Sequence, residues 1–277
     1  MNTQREQLIQ TWLQATLQTD QFEINFLAGD ASFRRYARIK LQNKTYMLMD
    51  APPEKEDCVP FVEIDEFFDK NGVRVPHIVA KDLSLGLLLL EDFGDVVLST
   101  LLNDDTVDQY YAQSFKQLID LQQIDAYQQL PAYSYEKLMT EMRLLTEWML
   151  PSLEIQPTEQ QLETIEQAFD FLAIEAINQP QVIVHRDYHS RNLMKIENEQ
   201  VLGVIDFQDA VIGADTYDLI SITRDAYVQW NAARVYGWFE VFYNLLPATA
   251  KENRSFEQFK RDADLMAIQR HLKILGI

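Results

Sequence analysis

The sequence predicts an α+β fold in which a small antiparallel sheet precedes a larger helical region. Short strand-like segments separated by turn residues dominate the first third of the chain, whereas apolar residues recur at helical spacing through most of the remainder. Segregation of strands from helices along a chain is typical of α+β folds. With 277 residues, the chain can bury a sizeable core as one large domain or as two lobes.

The N-terminal region is predicted to contain one leading helix, five strands and one inserted helix. The leading helix is expected from about Thr3 to Gln18, because Thr3 and Glu6 form a capping-box pattern ahead of periodic apolar residues. The inserted helix is expected from Phe61 to Lys70, ending at Asn71-Gly72. The first three strands are expected at Phe22 to Leu27, Arg35 to Leu41 and Thr45 to Met49. Two more strands are expected on either side of a turn at Gly86, and the second of them is Leu87 to Glu91.

The remainder of the chain is predicted to be mostly helical. Helical spacing runs from Val97 to Asn178, is followed by a strand at Val182 to Val184, and resumes after Thr216. Since no Gly/Ser linker is present, we expect a short hinge between the lobes. The predicted division is 1–93 for an N-terminal lobe that ends at the hinge, and 94–277 for a helical C-terminal lobe.

Charge and composition disfavour several classes of partner and of cellular location. The chain carries 43 acidic and 24 basic residues, a formal net charge of −19, which disfavours nucleic acid and anionic membranes as partners. Small cationic ligands remain compatible with that charge. The single cysteine, Cys58, cannot form an intramolecular disulfide, and no apolar run is long enough to span a bilayer or form a signal peptide. We therefore expect a cytoplasmic protein. A monomer is the expected oligomeric state, although no sequence feature indicates it.

The residues that indicate chemistry begin directly after the predicted strand that ends at Val184. His185-Arg186-Asp187 is followed five positions after the aspartate by Asn192, the spacing of a kinase catalytic loop. In such a loop the carboxylate accepts the proton of an attacking hydroxyl, and the amide oxygen holds a metal against the phosphates. Asp187 and Asn192 are therefore predicted to be catalytic.

A second acid follows the catalytic loop at the expected distance. Leu193 to Ile196 and Val201 to Ile205 predict an apolar hairpin that ends at Asp206, 14 positions after Asn192. Magnesium on a nucleotide triphosphate takes hard oxygen ligands and needs few from the protein. We predict that Asn192 and Asp206 bind Mg²⁺ on ATP; the alternative is a pseudokinase that keeps these residues without turnover.

Another Asp-Phe-Gly tripeptide, Asp92-Phe93-Gly94, lies too early in the chain to be this metal-binding motif. It directly follows the predicted strand at Leu87 to Leu90, where a two-lobed kinase has its hinge. We predict that Glu91 to Phe93 supply backbone hydrogen bonds to adenine, with Leu89, Leu90 and Phe93 as apolar neighbours. The competing interpretation is an ordinary turn at the end of a strand.

The chain length after Asp206 favours a small acceptor. Asp218 follows only 12 positions later, which leaves no room for the long segment with which protein kinases dock a peptide. Asp218 resembles the buried aspartate that braces the catalytic loop in kinases, and His185 is expected to support the same loop. An alternative for Asp218 is a simple acid near a helix N-terminus.

These motifs resemble the aminoglycoside phosphotransferase/choline kinase superfamily over most of the chain. The resemblance is carried by 185–194, by 203–210 and by Thr216-Tyr217-Asp218-Leu219. More narrowly, 29–36, 49–53 and Arg224-Asp225-Ala226-Tyr227 resemble the bacterial anomeric sugar kinases. This resemblance implies ATP-dependent phosphorylation of N-acetylmuramate and N-acetylglucosamine at the C1 hydroxyl, in the cytoplasm, during peptidoglycan recycling.

The sequence departs from the kinase pattern on the phosphate side. The loop has a single glycine, Gly29, and Met49 occupies the position of the lysine that holds the α- and β-phosphates. Some other cation must neutralise the phosphates, so we predict that at least one nearby arginine contacts ATP. The candidates are Arg34, Arg35 and Arg38, with Arg34 and Arg35 preferred. The helical partner acid, Glu63 or Glu66, has no assigned role.

A second departure lies at the C-terminus. The chain stops at Gly276-Ile277 within a predicted helix, whereas the resembled sugar kinases continue, so part of the acceptor pocket is expected to be missing.

Two other functions remain compatible with the sequence. An aminoglycoside phosphotransferase, or another kinase that acts on a small-molecule hydroxyl, would use the same Asp187, Asn192 and Asp206. The net charge of −19 would suit a polycationic drug. A non-catalytic nucleotide-binding module would account for the missing lysine and the single glycine.

Overall fold

The structure is a computed structural model that describes residues 3–28, 33–125 and 130–276. It divides into two compact units: Met1–Asp95 with Ile196–Asn198, and Val96–Lys195 with Glu199–Ile277. The functional division that the sequence motifs imply stays a prediction: a nucleotide-binding lobe at 1–93 that ends at the hinge, and a helical catalytic and acceptor-binding lobe at 94–277. No helix of the described ranges is long and apolar enough to cross a membrane.

The first unit is built on a five-stranded antiparallel sheet with the order β1-β2-β3-β5-β4. The predicted strands and both predicted helices are present, with ends that differ by at most two residues where residue limits were predicted. The elements are α1 (Thr3–Leu17), β1 (Glu23–Phe26), β2 (Arg35–Leu41), β3 (Lys44–Asp50), α2 (Val59–Lys70), β4 (Ile78–Asp82) and β5 (Leu87–Glu91). The predicted capping box involves the side chain of Thr3, which lies outside the described side chains, as Gly29 lies outside the described residues.

Helix α1 covers one face of this sheet. Ile9 and Leu13 of α1 are fully buried in a cluster with alternate residues of the central strands, because successive strand residues point to opposite faces. The sheet residues of this cluster are Ala37, Ile39, Leu48, Leu87 and Leu89. The even-numbered residues of β2 and the odd-numbered residues of β3 therefore lie on the opposite face of the sheet.

The turn between β4 and β5 requires glycine. Gly86 has a φ of +64°, and a Cβ there would lie 1.9 Å from the carbonyl oxygen of Ala51. A side chain at this position would clash with backbone, so the predicted turn at Gly86 has a steric cause.

The second unit is mainly helical and contains two small antiparallel strand pairs. Its strands are β6 (Gln181–Val184), β7 (Leu193–Lys195), β8 (Leu202–Val204) and β9 (Val211–Ala214), paired as β6 with β9 and β7 with β8. The sequence predicted β6 and the β7–β8 hairpin but not β9. Its helices are α3 (Val107–Gln122), α4 (Tyr135–Leu144), α5 (Leu150–Ser152), α6 (Glu159–Ile177), α7 (Tyr217–Thr223), α8 (Ala232–Leu245), α9 (Ala248–Lys251) and α10 (Phe256–Gly276).

Helix α10 is the central packing element of this unit. It contacts α4, α6, α7 and α8, and it also packs on a π-helical turn at Leu145–Met149. Besides apolar residues, α10 buries Asp262, Gln269, Arg270 and Lys273. Buried charges of this kind need partners or a function, and those near the C-terminal end of α10 lie close to the loop described next.

Candidate active site

The loop between β6 and β7 is fixed through its backbone by a buried carboxylate. Asp218, in the first turn of α7, is fully buried and accepts the backbone N–H groups of His185 at 2.6 Å and Arg186 at 3.1 Å. Burial raises the pKa of Asp218 to about 7, although the two N–H donors act in the opposite direction. This is the contact that the predicted bracing role requires.

His185 connects the start of the loop to the strand that leads to Asp206. Its Nε2 lies 3.0 Å from the carbonyl oxygen of Ile205, and its Nδ1 accepts the backbone N–H of Asp187 at 3.2 Å. These partners require a neutral ring protonated on Nε2. Burial lowers the pKa of this histidine, which favours the same neutral form.

Asp187 presents a half-buried carboxylate from the loop. Within the described residues its oxygens have no hydrogen-bond donor, whereas its backbone carbonyl accepts from His189 N and from Asn192 Nδ2. Burial alone would raise the pKa of this carboxyl, but nearby positive groups, foremost Lys273, hold it below its ordinary value. The carboxylate is thus ionised at neutral pH and available to a ligand.

Asn192 and Asp206 lie side by side. The Nδ2 of Asn192 donates to the Asp187 carbonyl at 3.1 Å and to Asp206 Oδ2 at 3.2 Å, which leaves the amide oxygen Oδ1 for another partner. Gln208 Nε2 donates to Asp206 Oδ1 at 2.8 Å. One carboxylate and one amide oxygen are hard ligands, a donor set that fits magnesium completed by phosphate oxygens.

Two residues of this region adopt left-handed backbone conformations although they are not glycine. Arg186 has a φ of +75° and Asp206 a φ of +64°. Such conformations cost on the order of 1–3 kcal/mol each and occur at functional sites held by their surroundings. Here the surrounding contacts are the Asp218 bond to the Arg186 amide and the Asn192 bond to the Asp206 carboxylate.

A buried charge network lies behind the loop. Arg186 Nη2 donates to Glu141 Oε1 at 2.6 Å, and the second oxygen of Glu141 accepts from the hydroxyl of Tyr133. Lys273 Nζ lies 3.8 Å from the same Glu141 oxygen and 3.4 Å from the hydroxyl of Tyr217. One carboxylate on α4 is therefore shared by two cations, one from the loop and one from α10.

The second half of the loop is held by Asp225. Its Oδ2 accepts from the backbone N–H of Ser190 at 2.9 Å and from the Ser190 hydroxyl at 2.5 Å, and its Oδ1 accepts from Tyr227 N at 2.9 Å. The ring of Tyr227 packs edge-on against His189, with centroids 5.2 Å apart. Asp225 thus connects the loop to the segment that follows α7.

That segment forms a pocket of about 630 Å³ within the second unit. Its volume falls within the roughly 300–1,000 Å³ typical of small-molecule sites. Its walls combine aromatic rings with a few polar groups, the composition expected for a sugar or another polar small molecule. The lining residues used below are Arg224, Asp225, Tyr227, Trp230, Tyr236 and His271.

The three arginines proposed for phosphate contact pair with carboxylates of their own unit. Arg34 Nη2 lies 2.8 Å from Glu56, and Arg35 bonds Asp50 on the face of the sheet covered by α1. Arg38 lies on the opposite face, the one shared by Met49, and binds Asp92 at 2.6 Å. The structure thus places Arg38 rather than Arg35 on the Met49 face.

Several of the groups predicted to contact adenine already have hydrogen-bond or packing partners within the first unit. Glu91 donates its backbone N–H to His77 O at 2.9 Å, and its carboxylate binds Arg74 at 2.6 and 2.7 Å. Phe93 packs under the Arg74 guanidinium, 4.7 Å from the ring centroid. Leu89 is fully buried in the cluster with α1, which weighs against contact with a ligand.

The Asp92 carboxylate has hydrogen-bond partners within the first unit. Its carboxylate binds Arg38 through two contacts and accepts the backbone N–H of Gly94 at 2.9 Å. A turn-forming and arginine-pairing role therefore accounts for the Asp-Phe-Gly tripeptide at 92–94.

Comparison with known proteins agrees with this geometry. The model of the phosphotransferase enzyme family matches residues 23–252. The chain is 40% identical over 252 residues to a Pseudomonas putida protein named N-acetylmuramate/N-acetylglucosamine kinase, covering 90% of this chain and 74% of that relative. It is 33% identical over 281 residues to a Neisseria meningitidis protein of the same name, covering 99% and 83%.

The chain belongs to the phosphotransferase enzyme family. Its fold is also that of the solved streptomycin–ATP–APH(2″)-IIa ternary complex, with a TM-score of 0.62, 16% identity and coverage of 88% of this chain and 84% of that one. The predicted kinase-like fold, the predicted family and the prediction of a small-molecule kinase are confirmed.

Membership of the phosphotransferase family does not explain every residue of the site. Sequence analysis missed Glu141, which binds the loop arginine Arg186, and Lys273, which lies beside Glu141. They lie 45 residues before and 87 residues after Arg186. No local pattern marks either of them. Asp225 was noted only as part of a motif, and its bonds to Ser190 depend on tertiary packing.

Proposed function

We propose that this chain uses ATP and Mg²⁺ to phosphorylate the anomeric hydroxyl of N-acetylmuramate and N-acetylglucosamine, a reaction of cell-wall recycling. The observation that carries the proposal is the identity of 33–40% to relatives named for these two substrates, over at least 90% of the chain. ATP as phosphoryl donor agrees with a cytoplasmic location and with the ATP-containing ternary complex that shares this fold.

In this proposal Asp187 acts on the acceptor. Its ionised carboxylate orients the C1 hydroxyl and accepts its proton while the hydroxyl oxygen forms a bond to the γ-phosphorus. The bond between the γ-phosphorus and the bridging oxygen breaks, and ADP leaves. No covalent enzyme intermediate is required, because the acceptor oxygen attacks directly.

Asn192 and Asp206 would hold magnesium in this proposal. When bound, the ion would neutralise the β- and γ-phosphate oxygens. The amide of Asn192 keeps the Asp206 carboxylate beside the Asp187 loop through its two Nδ2 bonds. His185 and Asp218 position Asp187 by fixing its backbone, without contact with the reacting atoms.

The nucleotide contacts remain part of the proposal. We retain Arg34, Arg35, Arg38, Glu91 and Phe93 as candidates, and Arg38 gains support because it lies on the sheet face of Met49. Since Arg38 is already bonded to Asp92, it would have to share its guanidinium between a carboxylate and a phosphate.

The pocket beside the catalytic loop is the proposed acceptor site. Tyr227, Trp230 and Tyr236 offer aromatic faces on which the apolar side of a pyranose ring can pack. Asp225 bonds Ser190, three residues after Asp187, so the pocket wall and the catalytic carboxylate are fixed relative to each other.

A direct test measures ADP release by the purified chain with three acceptors: N-acetylmuramate, N-acetylglucosamine and kanamycin. The methyl glycoside of N-acetylglucosamine, whose C1 oxygen is blocked, is the matched control. We expect turnover with both free sugars, none with the glycoside, and a C1 phosphate in the product by ³¹P NMR. Turnover with kanamycin alone would replace the sugar proposal by that of an aminoglycoside phosphotransferase.

A further inference from the structure

Arg191, in the catalytic loop, differs from most arginines of this acidic protein because it has no ion pair within the described part of the chain. Of the 13 arginines, 11 lie within ion-pair distance of a carboxylate among the described residues. The two exceptions are Arg191 and Arg270. Arg270 is buried, whereas Arg191 is exposed and can reach a ligand.

The position of Arg191 is nevertheless defined by packing. Its guanidinium carbon lies 3.8 Å from the ring centroid of Tyr227, the shortest cation–ring separation in the described parts of the chain. Stacking on an aromatic face orients a guanidinium while leaving the N–H donors at its edge unused. Tyr227 is itself a wall residue of the acceptor pocket, so the Arg191 donors lie at the margin of that pocket.

The loop fixes Arg191 relative to the reacting groups. It follows Asp187 by four positions and directly precedes Asn192, and Asp225 binds the preceding residue, Ser190, through two hydrogen bonds. A ligand group held by Arg191 would therefore stay at a defined distance from the hydroxyl that Asp187 orients.

We propose that Arg191 binds the carboxylate of an acidic acceptor and so sets the preference for acidic over neutral amino sugars. N-acetylmuramate carries a lactyl carboxylate that N-acetylglucosamine lacks, and a guanidinium can bind a carboxylate through two parallel hydrogen bonds. This inference rests on the proposed function.

The other pocket cation is a weaker candidate. Arg224 lines the pocket, but its Nη2 donates to Asp264 at 2.5 Å, so its charge is already balanced by a carboxylate. Asp225 is the acid of the pocket wall, and its oxygens are used by Ser190 and Tyr227. Arg191 is thus the cation beside this pocket whose charge has no described counter-ion.

The test compares kcat/KM of the wild type, Arg191→Gln and Arg191→Lys for three acceptors: N-acetylmuramate, its neutral lactyl amide, and N-acetylglucosamine. Arg261→Gln is the matched control, because it removes an arginine that pairs with Glu175 of α6, and neither residue lines the pocket. For N-acetylmuramate we expect Arg191→Gln to lose roughly 10- to 100-fold, the range of a charge-assisted hydrogen bond. The kcat/KM of Arg191→Lys for N-acetylmuramate should lie between the values of Arg191→Gln and the wild type.

The same substitution should change kcat/KM for the amide and for N-acetylglucosamine by less than about threefold, because neither offers a carboxylate. An equal loss with all three acceptors would overturn the inference in favour of a phosphate contact, and an unchanged N-acetylmuramate value would overturn it outright. Wild-type turnover of N-acetylglucosamine leaves the proposed function standing in both cases. A wild type that phosphorylates neither sugar would refute the proposed function itself.

Discussion

Replacing Asp218 by asparagine tests whether the buried carboxylate positions the catalytic loop. Asp218 accepts two backbone N–H groups, one on each oxygen, at 2.6 and 3.1 Å. Asparagine has nearly the same shape but only one acceptor oxygen, and its NH₂ group would face the second N–H as a donor. One buried N–H of His185 or Arg186 would therefore lose its partner.

The expected magnitude follows from that single lost bond. A buried donor left unsatisfied costs about 1–3 kcal/mol, so we expect Asp218→Asn to lower the free energy of unfolding by that amount. The loop would also shift, and a displacement of about 1 Å at a reacting group can cost roughly 10²-fold in rate. We therefore expect kcat to fall by about 10- to 100-fold, with little change in the KM for ATP.

Two measurements on matched variants separate positioning from stability. Urea unfolding gives the loss of stability, and steady-state kinetics at saturating ATP and sugar gives kcat. Asp262→Asn is the control, because Asp262 is also buried and bonds Arg254 and Gln258 away from the loop. It should lose stability while keeping kcat. If Asp218→Asn were destabilised equally and kept near-normal kcat, the positioning role would be wrong.

Three further predictions concern single carboxylates. Asp187→Asn should lower kcat by about 10²- to 10⁴-fold while ATP binding, measured by calorimetry, is retained; near-normal turnover would contradict the assignment. Asp206→Ala should weaken both Mg·ATP binding and rate, whereas Asp92→Ala should lower thermal stability with a smaller effect on either; reversed phenotypes would identify 92–94 as the metal motif. Burial raises the pKa of Asp65 to about 7. The folded state therefore keeps the Asp65 carboxyl protonated at pH values at which the unfolded chain has released that proton, and the free energy of unfolding falls as pH rises. Asp65→Asn should therefore raise the urea midpoint more at pH ~8 than at pH ~4.5, and an equal gain at both would exclude this cause.

Much of the fold could be predicted because local signals and tertiary packing agree. Alternating apolar residues specify β2, and a continuous apolar run from Tyr46 to Met49 specifies β3. The turn at Gly86 is required by a clash that any side chain would make with Ala51 O. Strand β9 was missed because Val211–Ala214 is a short apolar run whose pairing with β6 depends on residues about 30 positions earlier. Such a run does not differ locally from a loop that crosses the core.

Only those site residues whose spacing along the chain matches the kinase pattern could be predicted from the sequence. Asp187, Asn192 and Asp206 occupy fixed spacings, and the structure brings the backbone of the first and the side chains of the other two into one hydrogen-bonded set. Glu141 and Lys273 belong to separate helices, and only the packing of α10 on α4 brings Lys273 to the carboxylate that binds Arg186. Sequence spacing contains no information on contacts of this range.

These distant charges bear on how Asp187 can work. Burial by itself would make its carboxyl a stronger base, but Lys273 on α10, foremost among the nearby positive groups, lowers its pKa. A weakly basic carboxylate removes little proton density before the acceptor oxygen begins to bond with phosphorus. That is adequate for the proposed acceptor, since an anomeric hydroxyl is more acidic than other sugar hydroxyls and phosphoryl transfer has a loose transition state. The network behind the loop therefore favours an Asp187 that orients the hydroxyl and takes its proton late, so that the rate depends chiefly on the geometry that Asp218, His185 and Asp225 maintain.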